Sequence, residues 1–511
     1  MDIPSLFMIP SAVSSGKVHS VFPNSTDADF DFNRDSDATR VNSEGLIERV
    51  GYYGSESVIN GTFDTDTNWN KTQAVIQNGQ AIITSPDGSY AAIDQSSILT
   101  TSQTYYYSIE VISISGTMQL RAGSGTDIDI TTSGVHRGYI VANSTGLELK
   151  RKSGAGALSV IIDNVSLKQV NGDRARLNYE IEGGLVNTKP SLLLEPQSTN
   201  LYVNSEPTAN EGAASGVSYV DFNWSLGFTN ATEFTSGDFR YGGSVSASTV
   251  NSLSFFIIMD DLSQPVVGAN SGAGDFSVVI GGSLMTSGFE VKNFGNNVYR
   301  VCVTGTSGTN TSNNGIVKYN SQSSKSFKVV GWQLEQQSYA TSYIPTNGSA
   351  QTRAGETCLG AGTSSIFEDT DGILYCEIAN IANNVTHSLA LSDGSSANVV
   401  FIGYNPLGRL DANVRRSSAF QAIFNYTGVS DSTVFNKIAF RFQANNFQLW
   451  VNGSEVATDT SGIVPFGLQE LAFDDGSGSN PFYGKIRDIR VYNTKEMTDS
   501  EVDILLTKIT S

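Results

Sequence analysis

Apolar and polar residues alternate with a period of two along most of this chain. In TYYYSIEVISIS (104–115), Tyr105, Tyr107, Ile109 and Val111 fall on one side and Tyr106, Ser108 and Glu110 on the other. That is the pattern of a strand with one buried face. KIAFRFQANNFQLWVNGSEVA (437–457) repeats it in a meander. Ile438, Phe440 and Phe442 alternate with Ala439 and Arg441, and a turn at Asn445-Asn446 follows. Phe447, Leu449 and Val451 then alternate with Gln448 and Trp450, and Asn452-Gly453 has the chemistry of a two-residue type I′ hairpin turn. A helical period occurs at the end, in MTDSEVDILLTKI (497–509). Thr498 and Glu501 form a capping box there, and Val502, Leu505, Leu506 and Ile509 make one apolar stripe, which predicts a helix docked on a sheet or a partner.

These strands group into blocks. NGTFDTDTNWN (60–70) opens a block that VIIDNVSLKQV (160–170) closes. NLYVNSEPTAN (200–210) with DFNWSLGF (221–228) opens a second, closed by FKVVGWQLEQQ (327–337). Pro345 has no N–H to donate and ends pairing after that last strand. The third block holds the meander and the terminal helix. The pattern therefore predicts an all-β protein of three consecutive antiparallel β-sandwich, or jelly-roll, domains with one short C-terminal helix. A length of 511 residues agrees with about three domains.

Composition strengthens this and removes several functions. Charged residues are 16% of the chain and Gly numbers 50, a balance that suits strands joined by tight turns. The net charge of −19 argues against nucleic-acid binding, which needs clustered Lys and Arg. Three well-separated cysteines (Cys302, Cys358, Cys376) and three scattered histidines (His19, His136, His387) give neither a disulfide framework nor a zinc site. No apolar run reaches the ~18 residues of a membrane span, and MDIPSLFMIPSAV lacks the basic start of a secretion signal.

Candidate chemistry is sparse. Trp450 lies on the polar face of its strand, where it packs beneath a loop or neighbouring domain or stands open, and Gln448 shares that face. Asp474 and Asp475 lie in the loop FDDGSGSN. Trp69, Trp224 and Trp332 read as core or seam residues. No cofactor is expected. A structural calcium is the one ion considered, with Asp64, Asp66 and Asn68 of DTDTN, and Asp474 and Asp475, as its oxygen donors. The first loop lacks the Gly and distal Glu of an EF-hand, and Asx turns account for both loops without metal. No Ser–His–Asp set, nucleophile elbow or P-loop is present, and the nearest carboxylate pair, Glu180 and Glu182, reads as solvated charge. The expectation is a protein that is not an enzyme.

Three phrases carry a resemblance: FDFNRDSDATRVNSEGLIERV (30–50), ARLNYEIEGGLVNTKPSLLLEPQSTNLYVNSE (175–206) and WQLEQQSYATSYIPTNGSAQTRAGE (332–356). In this order they resemble the repeated phrases of bacteriophage virion surface and tail-fibre-like proteins, in which the first runs almost directly into the second. The intervening 51–172 then reads as an insertion, and it resembles a carbohydrate-binding-module jelly roll. FQLWVNGSEV (447–456) and FYGKIRDIRVYNTKEMTDSEV (482–502) are similar to the hairpin and closing strand of the concanavalin A-like, or laminin-G-like, lectin fold, a resemblance that implies sugar contacts at Trp450, by stacking, and at Gln448, Asp474 and Asp475. The resulting division is an anchoring or scaffold segment 1–50, an inserted sandwich 51–172, a connector 173–199, a second sandwich 200–347 and a lectin-type sandwich 348–511. The resemblance implies a virion surface location on tail or capsid, reached from the host cytoplasm without a signal peptide. The implied partners are other virion proteins, further copies of the chain (a trimer by analogy with fibres) and host-surface glycans. The implied function is weak multivalent glycan adhesion, with capsid decoration without a ligand, a polysaccharide depolymerase and a bacterial surface lectin as alternatives.

Overall fold

Alternating side chains need two apolar faces to meet, and they meet three times in this chain. The structure, a computed structural model, describes residues 3–14, 16–51, 53–125, 127–170, 174–209, 213–235, 237–367, 369–383 and 385–511. The fold is all-β, the named strands pair antiparallel, and one α-helix, Asp499–Thr510, closes the described chain. The chain divides into two compact units, Gly51–Gly172 and the remainder.

Within Gly51–Gly172 a six-stranded and a five-stranded sheet face each other. The strand Thr104–Ser115 buries Tyr105, Tyr107, Ile109 and Val111, the face its alternation predicts. Trp69 lies in this core against Phe63, with ring centroids 5.4 Å apart, and its Nε1 donates to Asn60 O at 3.0 Å.

The other unit holds two sandwiches. The second has Trp332 at its centre, fully buried among Tyr202, Phe234 and Phe255. A further apolar layer, including Trp224, Phe228, Phe256 and Tyr343, covers the outside of its six-stranded sheet. The exit past Pro345 does not simply lead away. Gln351–Arg353 pairs with Ser198–Asn200, so the way into this sandwich and the way out are hydrogen-bonded together.

The third sandwich departs most from the predicted boundaries. Its eight-stranded sheet includes Leu6–Met8, Arg176–Asn178 and Ser191–Leu194. Leu6–Met8 and Ser191–Leu194 both pair with the closing strand Gly484–Asn493. Residues 3–50 and 174–199 are therefore not an anchor and a connector set apart from the sandwiches. Leu6, Met8, Phe30, Phe32, Leu192 and Leu194 belong to the third core. Length alone hid this, because each of these strands is two to four residues long and too short to show a period.

The three phrases meet in one buried ionic cluster. Arg34, Arg176 and Arg353 and Glu195, Glu335 and Glu356 are each at most 2% exposed. Arg176 donates through Nη1 to Glu195 at 2.7 Å and through Nε to Glu356 at 2.9 Å, and its Nη2 also meets Glu356. Arg34 Nη1 donates to Glu356 at 2.7 Å, and Arg353 Nη1 lies 2.9 Å from Glu195. Glu335 accepts from the Thr341 amide at 3.0 Å and from Gln333 Nε2 at 2.8 Å. Three cations thus face three carboxylates away from water.

Removing one partner strands the rest. We expect Arg176→Met to cost about 3–5 kcal/mol, read as a lower urea midpoint. Burial alone would raise the Glu195 carboxyl, but Arg353 and Arg176, with the Ser342 hydroxyl and amide, bring it down to about 2. Glu356 is held below its usual value in the same way, burial being outweighed by Arg176 and Arg34. Folded values below unfolded ones stabilise the fold above the usual carboxylate range. That stability should drain away as pH falls from about 4.5 towards about 2, followed by near-UV circular dichroism.

Candidate functional site

The third sandwich has two outward faces, and the structure treats them oppositely. Outside the eight-stranded sheet, Val502, Leu505, Leu506 and Ile509 of the terminal helix pack onto Ile373, Tyr375, Ala439, Trp450 and Tyr492. The capping box forms as the sequence predicts, with Thr498 N donating to Glu501 Oε2 at 2.8 Å and Glu501 N to Thr498 Oγ1 at 3.4 Å. Trp450 is consequently 9% exposed and lies beneath this helix, so it presents no ring face to a sugar. Gln448 is equally buried, and its Oε1 accepts from Arg441 Nη1 at 3.2 Å. These two sugar-contact assignments are corrected by the helix, whose docking place the periodicity did not specify.

The outward face of the five-stranded sheet carries no helix. Its order is Ala419–Tyr426, Leu410–Arg416, Val399–Tyr404, His387–Ser392 and Glu470–Ala472. Val400, Ile402 and Tyr404 point into the core, which turns Phe401 and Gly403 outward on the middle strand. A Cβ on Gly403 would meet the Phe401 ring at 2.7 Å, so the ring leans over the space that glycine leaves. Asp411 is the cross-strand partner of Gly403, and Asn413 that of Phe401. Asp411 Oδ2 accepts from Asn405 Nδ2 at 2.6 Å, and Arg409 Nε stands 3.9 Å from Oδ1. Asp411 Oδ1, Asn413 Oδ1 and Ser388 Oγ are screened from solvent and have no hydrogen-bond partner, and Ser388 is the other cross-strand neighbour of Gly403. Ile423, opposite Asn413, and Phe420 are each 49% exposed at the edge strand.

One predicted pair does border this face. The loop carrying Asp474 and Asp475 lies against it: Pro481 bridges to Ser388, and a Cβ on Gly476 would stand 3.0 Å from Ser392 Cβ. Both carboxylates are engaged in the loop itself. Asp474 accepts from Gly476 N at 2.6 Å, and its carboxyl is raised by burial. Asp475 accepts from Ser477 Oγ at 2.7 Å and Asn480 Nδ2 at 3.0 Å. In the first sandwich Asp64 accepts from Thr62 Oγ1 at 2.6 Å, Asp66 pairs with Lys71, and Asn68 adopts a left-handed φ of 71°. Among the described residues, no three His, Cys, Asp or Glu side chains gather as metal ligands. Glu180 is not the solvated charge that its setting suggested. It is 6% exposed and accepts from Lys485 at 2.6 Å, while Glu182 stays in solvent beside Arg487.

The sequence reading missed Phe401, Asp411 and Asn413. The visible signal was an aromatic and a glycine two residues apart on one strand face, in VVFIGY (399–404).

Residues 379–503 match a family model described as the concanavalin A-like lectin/glucanases superfamily. That segment contains the whole face just described. No curated protein matches the chain. Among solved structures, the chain is similar to the CBM40 of a Ruminococcus gnavus IT-sialidase bound to alpha2,3 sialyllactose (17% identity, 29% of this chain, 87% of that one, TM-score 0.24). It is also similar to a CBM22-1–CBM22-2 tandem from Paenibacillus barcinonensis Xyn10C (11% identity, 56% and 98%, TM-score 0.18). A third is the LG1-3 region of a laminin alpha2 chain (10%, 78% and 95%, TM-score 0.15). None of these scores reaches the level of a common fold over the whole chain.

Two substitutions probe the face. Gly403→Val should displace the Phe401 ring and also crowd the His387 carbonyl, which an added Cβ would meet at 2.8 Å, so altered ring resonances should come with a lower melting temperature. Burial lowers the neighbouring His387 to about 4, so this imidazole is neutral in the fold at neutral pH. Its folded value lies below the unfolded one. Its contribution to stability is therefore complete above about 6.5 and is lost as pH falls towards about 4. His387→Phe should flatten that part of the stability–pH curve.

Proposed function

We propose that this protein binds glycans through the outward face of the five-stranded sheet. A sugar offers an apolar ring face and a rim of hydroxyl groups. The Phe401 ring, leaning over Gly403, meets the first, and the polar side chains of Asp411 and Asn413 on the adjacent strand lie beside it for the second. The observation that carries this reading is that ring, laid over Gly403 in a segment matching concanavalin A-like lectins.

The face is shallow, so single-site binding is weak, and display in many copies supplies avidity. The resemblance of three phrases to those of bacteriophage surface proteins supports the finer reading. In it, the chain is a non-enzymatic component of a phage exterior, assembled with other virion proteins as a homo-oligomer, and the glycans belong to the host cell surface.

A glycan array probed with the protein multimerised on beads tests the reading. We expect binding that falls about 10-fold in Phe401→Ala, the loss of roughly 1.4 kcal/mol of stacking. Trp450→Phe, beneath the helix, should leave binding unchanged. An array that stays blank at every density, with folded protein, would sink the proposal.

A further inference from the structure

The protein carries a net charge of −19, yet one cavity in it is positive. A space of about 220 Å³ lies where the outer side of the second sandwich's six-stranded sheet meets the hairpin strands Thr39–Val41 and Ile181–Glu182 and the closing strand of the third sandwich. It far exceeds the ~10–15 Å³ that a single water requires, and it falls below the ~300 Å³ where drug-sized sites begin. Phe256 and Phe294 supply apolar wall.

The charges do not balance. Glu180 is engaged elsewhere: Oε1 accepts from Asn178 Nδ2 at 2.7 Å and Oε2 from Lys485 Nζ at 2.6 Å. Lys292 Nζ reaches the same Oε2 only at 4.0 Å, too far for a hydrogen bond, and lies over the Phe294 ring at 5.7 Å. Arg300 uses one nitrogen, Nη2, on the neutral acceptors Ser254 Oγ at 3.1 Å and Thr341 O at 2.6 Å, and its Nε is screened from solvent without a partner. Its guanidinium sits over the Phe256 ring at 5.6 Å. Arg40, also on the wall, is already paired with Glu48. Glu195, the third carboxylate on the wall, is held by Arg176 and Arg353 from outside the cavity, so Arg300, Lys292 and Lys485 face only Glu180 and, at the exposed edge, Glu290.

We infer that this cavity binds a small oxyanion, the carboxylate of an acidic sugar or a phosphate group, between Arg300 and Lys292. An oxyanion there supplies what the wall lacks. It gives the Arg300 guanidinium and Lys292, cross-strand partners that lack a close carboxylate, a shared counter-charge against two aromatic surfaces. The site is separate from the sheet face assigned to glycans above, and neither reading depends on the other.

Calorimetric titration at low ionic strength, with glucuronate, inorganic phosphate and neutral glucose as probes, tests this. Saturable binding of glucuronate alone assigns a carboxylate site, and of phosphate alone a phosphate site; either supports the proposal, as does competition between the two. Arg300→Gln and Lys292→Met should each weaken binding at least 10-fold, while Trp450→Phe, beneath the terminal helix, leaves it unchanged. Lys292 has a 40% exposed side chain, so its variant decides the matter if Arg300→Gln fails to fold. The proposal is overturned if neither anion saturates, if glucose binds as well as glucuronate, or if Lys292→Met binds like the wild type.

Discussion

Six charged side chains held away from water constrain everything else in the larger unit. Taking ions out of solvent is expensive, and the cost is recovered only where geometry and hydrogen bonding are complete. Here they are close to complete: Glu356 receives Arg34, Arg176 and the Glu195 amide, and Glu195 receives Arg176, Arg353 and the Ser342 amide. Such a cluster tolerates little displacement of any strand that feeds it. Its members come from the start, the middle and the later part of the chain, so it ties together segments that local pattern leaves unrelated. Arg34 also donates to Val50 O at 2.9 Å and Arg174 O at 3.1 Å, and Arg353 to Pro196 O at 2.8 Å.

The lectin-type sandwich sits on this frame with unequal faces. One sheet spends its outward aromatics on the terminal helix, and the other leaves Phe401 unroofed by any helix. The difference rests on small residues. Glycine at 403 leaves the space that the Phe401 ring leans over, where a Cβ would meet it at 2.7 Å.

How far this was legible varies with length scale. Alternation predicted Thr104–Ser115 and the meander residue by residue, and the capping box predicted the helix start, because those signals are local. Trp450 was correctly placed on the outward side of its strand, but the burial of that side depends on a helix nearly fifty residues later. Short strands such as Leu6–Met8 show no period, so the frame's extra strands read as tails. Glu180 looked solvated because its partners Lys485 and Lys292 lie hundreds or more than a hundred residues away. Charge pairing at that range leaves no local trace.

The arrangement of ends also bears on how such a chain changes over generations. The second sandwich enters and leaves through two strands bonded to each other, Ser198–Asn200 and Gln351–Arg353. One arginine grips the backbone on both sides of the stretch from 51 to 172. A segment whose two ends are clasped side by side can be lost, gained or traded for another without rethreading its host. The clasp leaves the second sandwich and the stretch from 51 to 172 each attached at one point, so that either could be lengthened or shortened without moving the strands that hold it.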